Sequence, residues 1–243
     1  MLELNQVSKD FNGLRALDRL TFKVNEAEIV GLIGPNGSGK STAFNVIMGT
    51  LPVTSGEIHF NGKNITPLPA HQVARLGLSR TFQLVRPFLR LTVMENVEAG
   101  ILFGPTKIKL KGDVKAEAMQ ILERVGLAEK AAHKAADLSV VERKWLEIAR
   151  ALAGKPKMLL LDEFMAGLST SQIPRALELI RSLKASGISV IIVEHIVKAI
   201  TGACERVIVL NGGKKLAEGS VKEIVNDPDV IDAYLGTRHA KSH

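Results

Sequence analysis

The chain has 243 residues, which fits one large α/β domain and allows roughly 70% of the unfolded surface to be buried without covalent cross-links. Cys204 is the single cysteine, which excludes an internal disulfide and a cysteine-based metal cluster and favours a reducing, cytosolic compartment. The net charge of +7 is typical of a soluble basic surface, and it also leaves open a nearby anionic membrane or nucleic acid. No apolar run reaches the roughly 18 to 20 residues of a membrane helix, and residues 1–4 lack the features of a signal peptide.

The first elements predict strands that lead into a glycine-rich loop. Leu2 and Leu4 alternate with polar residues, which indicates a half-buried strand, and residues 21–24 continue in the same style. The run 29–34 is almost wholly apolar and predicts a strand buried on both faces. A helix is expected to begin near Lys40, directly after the glycines.

Two asparagine–glycine pairs predict β-hairpins. Asn61-Gly62 interrupts the strand pattern of residues 58–65, and Asn211-Gly212-Gly213 separates two later strand patterns. Asn-Gly is the strongest two-residue hairpin signal because both positions favour positive φ.

The pattern changes between about residues 85 and 154. Runs of β-branched residues disappear, and apolar residues recur at helical spacing over 92–102, 113–126 and 139–153. We interpret this segment as a helical lobe inserted into the core.

Strand patterns return after the helical segment. Residues 158–161 and 188–193 are continuous apolar runs, and the pattern between them predicts a helix over roughly 171–185. A strand, a helix and a strand at this spacing indicate a parallel βαβ unit. A mostly parallel core sheet is therefore expected.

The glycine-rich loop matches the phosphate-binding pattern G-x-x-x-x-G-K-[ST] in full. Its residues are Gly34, Pro35, Asn36, Gly37, Ser38, Gly39, Lys40 and Ser41, followed by Thr42. Glycines allow backbone N–H groups to turn toward an anion, and the following helix adds the positive end of its dipole. Lys40 would reach the β- and γ-phosphates of ATP, and the Ser41 hydroxyl would ligate Mg²⁺.

A triphosphate site also needs a carboxylate for the metal at the end of a neighbouring buried strand. Asp162 ends the apolar run 158–161 and is the candidate, and Glu163 follows it in position to hold or activate the attacking water. The alternative is an ordinary acidic pair at the end of a strand. With the glycine loop, the pair predicts catalysis by positioning and charge stabilisation.

Together these patterns predict an α/β fold of the P-loop NTPase type, with a mostly parallel core sheet, an antiparallel β subdomain and an inserted helical lobe. The single domain 1–243 would divide into a catalytic core, residues 1–84 and 155–243, and the helical lobe, residues 85–154.

With these motifs the chain resembles the nucleotide-binding subunits of ABC transporters over nearly its whole length. The segment Arg80-Thr81-Phe82-Gln83 looks like the Q-loop of this family. The resemblance implies that Gln83 contacts metal or water and senses the membrane partner. It also implies that His195 contacts the γ-phosphate and that Phe11 stacks on adenine. Simple core packing remains the alternative for Phe11.

The chain looks most similar to the ATPases of branched-chain amino acid importers. The cues are Arg80-Thr81-Phe82-Gln83, Ala166-Gly167-Leu168 and the tail over residues 227–236. The resemblance implies integral membrane permease subunits as partners, a second ATPase subunit, and a peripheral location on the cytoplasmic face of the cell membrane. Importers of urea, amides and polar amino acids look similar, so the solute stays open.

The signature segment departs from the family. The family reads Leu-Ser-Gly-Gly-Gln, where this chain has Leu138-Ser139-Val140-Val141-Glu142. Glycine allows close approach to the phosphate that a partner subunit holds, whereas valine adds bulk. Ser139 and Glu142 also form the S-x-x-E pattern of a capping box. An asymmetric heterodimer is one hypothesis; the alternative is that backbone N–H groups suffice and both sites work, as in a homodimer.

Phe164 and Ser169 depart as well, because proline and aspartate are usual at these positions of the family. They leave the assignments of Asp162 and Glu163 unchanged. A rival class, the nucleic-acid ATPases, carries long coiled coils or zinc insertions that this chain lacks, so no nucleic-acid partner is expected. A regulatory subunit with weak turnover remains a third hypothesis.

Overall fold

The computed structural model describes residues 1–81, 87–104, 113–194 and 197–235, with only the backbone for residues 197–199 and 235. Within these residues the strands are β1 (Leu2–Phe11), β2 (Leu14–Val24), β3 (Ile29–Ile33), β4 (Ser55–Phe60), β5 (Lys63–Asn64), β6 (Leu78–Arg80), β7 (Met158–Asp162), β8 (Ser189–Val193), β9 (Arg206–Asn211) and β10 (Lys214–Gly219). The α-helices are α1 (Lys40–Ile47), α2 (Ala70–Arg75), α3 (Val93–Phe103), α4 (Val114–Val125), α5 (Val140–Ala153), α6 (Ile173–Ala185), α7 (Val197–Ala203), α8 (Val221–Ile224) and α9 (Pro228–Leu235).

The larger sheet has the strand order β10-β9-β3-β8-β7-β6. Every neighbouring pair in it is parallel except β10 with β9. The predicted mostly parallel core sheet is confirmed. The βαβ unit is confirmed too, because β7 and β8 are parallel neighbours and α6 connects them. Strand β6, which is short and carries no long apolar run, was not predicted.

The apolar runs reflect a sheet covered on both faces. In β7, Leu159 and Leu161 pack into one hydrophobic core, while Met158 and Leu160 pack into the other. Both faces of the strand are therefore removed from water, so alternation of polar and apolar residues is lost.

The smaller sheet is antiparallel, with the order β2-β1-β4-β5. Asn61 and Gly62 have φ of 50° and 74° in the turn between β4 and β5, which confirms the first predicted hairpin. Strands β9 and β10 form the second predicted hairpin. A third hairpin joins β1 to β2 through Asn12-Gly13 and was missed, although the sequence carries the same signal.

Helices α3, α4 and α5 pack against one another between β6 and β7 in the chain. The observed bounds of each helix lie within one residue of the predicted bounds. The predicted starts are one residue early because they include the N-cap residues, which are Thr92 for α3, Asp113 for α4 and Ser139 for α5. The division of the chain into core and lobe stays a prediction.

Parallel strands end at the same edge of a sheet, and the site lies at that edge. The glycine-rich loop follows β3, and Glu163 follows β7 directly. Strand β8 lies between these two strands and is followed by Glu194. The crevice beyond the carboxyl ends of parallel strands is where α/β sheets bind ligands.

Candidate nucleotide site

The loop between β3 and α1 depends on glycine at two close approaches. At Gly34, with φ of 150°, an added Cβ atom would lie 2.1 Å from the carbonyl oxygen of Leu210. At Gly39, with φ of 105°, it would lie 2.7 Å from the carbonyl oxygen of Ala16. A side chain at either position would force the backbone apart, so the loop conformation requires glycine.

The N-terminus of α1 receives no hydrogen bond from a side chain, because its N-cap is Gly39. By contrast, α3, α5 and α8 each begin with a capping box. The first N–H groups of a helix lack intrahelical partners and point along the dipole toward an anion. The start of α1 can therefore bind phosphate oxygens.

Lys40 lies across this loop and is 7% exposed. Its Nζ atom donates to the carbonyl oxygens of Gly34 at 2.8 Å and Pro35 at 2.9 Å. Burial lowers the pKa of Lys40, and the nearby Glu163 and Asp162 carboxylates oppose that shift. The same ammonium can exchange these carbonyls for phosphate oxygens, which are stronger acceptors.

The loop opens into a cleft of about 550 Å³, a volume within the range of ligand pockets, roughly 300–1,000 Å³. The lining residues are Phe11, Leu14, Arg15, Ala16, Asn36, Gly37, Ser38, Gly39, Lys40, Ser41, Thr42, Glu163, Gly212 and Gly213. The Phe11 side chain is 40% exposed, with Lys9 Nζ 4.9 Å from its ring centroid. Core packing is therefore wrong for Phe11, and its ring faces the cleft.

Asp162 forms a buried ion pair that sequence analysis missed. Arg80 Nη2 lies 2.6 Å from Asp162 Oδ2, and their side chains are 7% and 5% exposed. Arg80 Nη1 also donates to Asn45 Oδ1 of α1 at 2.6 Å. The backbone N–H of Asp162 donates to Thr81 Oγ1 at 3.1 Å. Arg80 thus connects the helix of the phosphate loop with the candidate metal ligand.

Glu163 has φ of 49°, in the left-handed region that non-glycine residues adopt at a cost of about 1–3 kcal/mol. Its N–H donates to the carbonyl oxygen of Val193 at 2.9 Å. Such a conformation persists only where the surroundings fix it, and it turns the chain sharply after β7. Glu163 consequently lines the cleft while the preceding Asp162 stays buried.

Gln83 and His195 lie outside the described residues, so their predicted roles remain predictions. Ser41 and Asp162 remain the predicted Mg²⁺ ligands, and their hydroxyl and carboxylate oxygens are hard donors of the kind that this ion prefers. No group of three His, Cys, Asp or Glu residues within the described ranges could hold a metal by itself.

The predicted capping box at the start of α5 is confirmed. The Ser139 N–H donates to Glu142 Oε2 at 2.8 Å, and the Glu142 N–H donates to Ser139 Oγ at 3.3 Å. Lys130 forms an ion pair with Glu142, and these contacts lower the pKa of Glu142 to about 2. Val140 is 71% exposed on the same turn.

Replacing Glu142 by Gln is expected to give a pH-dependent loss of stability. Glutamine can still accept from the Ser139 N–H but carries no charge for Lys130. Because the folded pKa lies below the unfolded value, the stabilisation is present above pH 4.5 and is lost as the pH falls toward 2. Urea unfolding should therefore give a difference between wild type and E142Q of about 0.5–1 kcal/mol at pH 7 that shrinks below pH 4. A difference that stays constant with pH would contradict the assignment.

A second cleft, of about 350 Å³, lies among α7, α8, α9 and β9. Its lining is mainly aliphatic, as with Ile200, Val207 and Ile224, and Glu194 is the charged residue among the described lining. The described lining offers no basic side chain to a phosphate, so the nucleotide is assigned to the first cleft.

A phosphate-binding glycine loop beside a strand-end carboxylate pair, on a mostly parallel sheet, defines a P-loop nucleotide-binding protein. The sequence model described as ABC transporter matches residues 17–166. A second, described as branched-chain amino acid ATP-binding cassette transporter, matches residues 214–240. The chain belongs to the ABC transporter family and is one of its ATPases.

Its relatives and structural neighbours agree with this assignment. The high-affinity branched-chain amino acid transport ATP-binding protein LivG of Salmonella typhimurium is 38% identical over 97% of this chain and 98% of its own length. BraF of Pseudomonas aeruginosa, with the same description, is 36% identical over 97% and 98%. The ADP conformation of the cassette MJ1267 gives a TM-score of 0.87 at 33% identity, covering 97% and 98% of the two chains.

Dimers occur among the solved neighbours. The dimeric structure of the cassette MJ0796 gives a TM-score of 0.83 at 27% identity over 91% of this chain and 99% of that one. None of the helices in the described part of this chain has the length and apolar character needed to span a bilayer.

Proposed function

We propose that this chain hydrolyses ATP with Mg²⁺ to drive a membrane importer for branched-chain amino acids, from the cytoplasmic face of the membrane. The observation that carries the proposal is the convergence of the glycine loop, Lys40 and Glu163 on one cleft. The match of residues 214–240 and the names of the relatives support the amino acid substrate.

Each residue then has a defined task. The loop N–H groups and Lys40 bind the phosphates, and Phe11 stacks on adenine at the other end of the cleft. Ser41 and Asp162 would hold Mg²⁺, which neutralises charge on the phosphates when bound. Glu163 orients and activates the attacking water. Gln83 and His195 would complete the site as the family resemblance implies.

The solute can be tested in vesicles that contain the permease, this ATPase and the second ATPase subunit. ATP supplied on the membrane face that carries the ATPase should drive transport of labelled leucine or isoleucine when the receptor protein is supplied. Uptake of urea or an amide instead would support the alternative importers, and ATP-independent uptake would contradict the proposal.

The second ATPase subunit is proposed to be a different chain. Val140 and Val141 occupy the signature, and Ser139 and Glu142 satisfy N–H groups that would otherwise be offered to the partner's nucleotide. This chain would supply an intact catalytic cleft to the heterodimer and a weakened signature to the second cleft.

We expect the purified chain alone to hydrolyse ATP slowly and to gain markedly when the partner ATPase is added. The matched variant V140G/V141G removes both valine side chains and should raise the activity of the chain alone. Full cooperative activity of the unmodified chain, or no gain from the glycines, would favour a homodimer with two working sites.

A further inference from the structure

The segment that follows Glu163 is held by one ammonium group. Lys144 of α5 donates from Nζ to the carbonyl oxygens of Glu163 at 3.1 Å, Phe164 at 3.4 Å and Ala166 at 2.5 Å. A lysine ammonium has three donors, so these contacts use its full capacity. The carbonyls of the segment therefore converge on a single side chain.

The N–H groups of the same segment are held from the opposite side. The Met165 N–H donates to Glu194 Oε1 at 2.5 Å, and the Glu163 N–H donates to the carbonyl oxygen of Val193. Glu194 is 2% exposed and follows β8. The segment is thus fixed between the end of β8 and helix α5.

Packing adds a second contact with α5. Trp145 follows Lys144 and meets Phe164 edge to face, with ring centroids 5.0 Å apart. Phe164 is the residue that replaces the usual proline of the family, so α5 contacts it with both a ring and an ammonium group. Edge-to-face contact is a favoured geometry for aromatic pairs and stabilises them beyond the area that they bury.

Lys144 is half-buried, and burial lowers its pKa while Glu194, Glu163 and Glu147 oppose that shift. Partial burial strengthens the hydrogen bonds of a cation because less water competes for its donors. The left-handed backbone of Glu163 needs such surroundings to persist.

We propose that Lys144 is a positioning residue for Glu163 and fixes the direction of its carboxylate in the cleft. The Lys144 ammonium holds the backbone of residues 163–166. Lys144 lies on α5, the helix that begins at the signature segment. The inference rests on the catalytic role proposed for Glu163.

The test measures steady-state ATP hydrolysis and nucleotide binding with the assembled transporter. We expect K144M, which keeps the apolar stem, to lower kcat by at least about tenfold with little change in the KM for ATP, because misplacement by about 1 Å can cost 10²-fold. K144R keeps a positive charge and N–H donors and should lose less. K184M removes a lysine from an exposed ion pair on α6 and should match wild type.

A second arm uses the E163Q variant. If Lys144 acts only through the Glu163 carboxylate, adding K144M to E163Q should not lower the residual turnover further. An unchanged kcat in K144M, an equal fall in both backgrounds, or a change confined to KM would overturn the proposal. If E163Q itself turns over normally, the catalytic role of Glu163 fails instead.

Discussion

Replacing Glu163 by Gln is expected to lower kcat for ATP hydrolysis by about 10²- to 10³-fold while ATP affinity stays near wild type. A positioned general base contributes on this scale, and the amide keeps the size of the side chain but cannot accept a proton. The phosphate contacts of Lys40 and the loop are unchanged, so binding should persist. Single-turnover hydrolysis and equilibrium binding of a fluorescent ATP analogue separate the two quantities.

The matched control is E178Q, which changes an exposed glutamate on α6 and should leave both quantities unchanged. A regulatory subunit with weak turnover would be indifferent to E163Q. Normal transport by that variant would therefore exclude the motor role of this cleft. A simultaneous loss of ATP binding would show instead that Glu163 supports the loop structurally.

Replacing Arg80 by Met is expected to lower the free energy of unfolding by about 3 kcal/mol or more. The substitution leaves the Asp162 carboxylate buried without its ion-pair partner, which costs about 3–5 kcal/mol in comparable cases. For a chain of this size that corresponds to a fall in Tm of roughly 6–12 °C. Thermal and urea unfolding of the purified chain measure it.

The double variant R80M/D162N removes both charges and gives the decisive comparison. It should be more stable than R80M alone, because the neutral amide has a smaller desolvation cost. If the losses of unfolding free energy in R80M and D162N simply add in the double variant, the two residues are not coupled. Arg15, whose ion pair with Asp10 is exposed, offers a control: R15M should leave the free energy of unfolding close to that of wild type.

Local sequence patterns were sufficient for the phosphate loop and for most elements. The loop needs glycine at fixed spacing because of its own backbone geometry, as Gly34 and Gly39 illustrate. The capping box of Ser139 and Glu142 is equally local, since its partners are three residues apart. Continuous apolar runs identified the buried strands because both faces of the larger sheet pack into hydrophobic cores.

What the sequence could not supply were contacts between residues far apart in the chain. Strand β6 is three residues long, and only its pairing with β7 brings Arg80 beside Asp162, 82 residues later. Lys144 resembles any surface lysine of an amphipathic helix until α5 is packed against the segment after Glu163. Phe164 looked like an unexplained departure until Trp145 was seen against it.

The sequence by itself therefore determined the nucleotide class, most of the longer elements and the family, because these follow from glycine spacing, hydrophobic periodicity and caps within a few residues. The tertiary structure decided which charges meet at the site. Ion pairing and desolvation depend on distance in space and on burial, and strand order and helix packing set both.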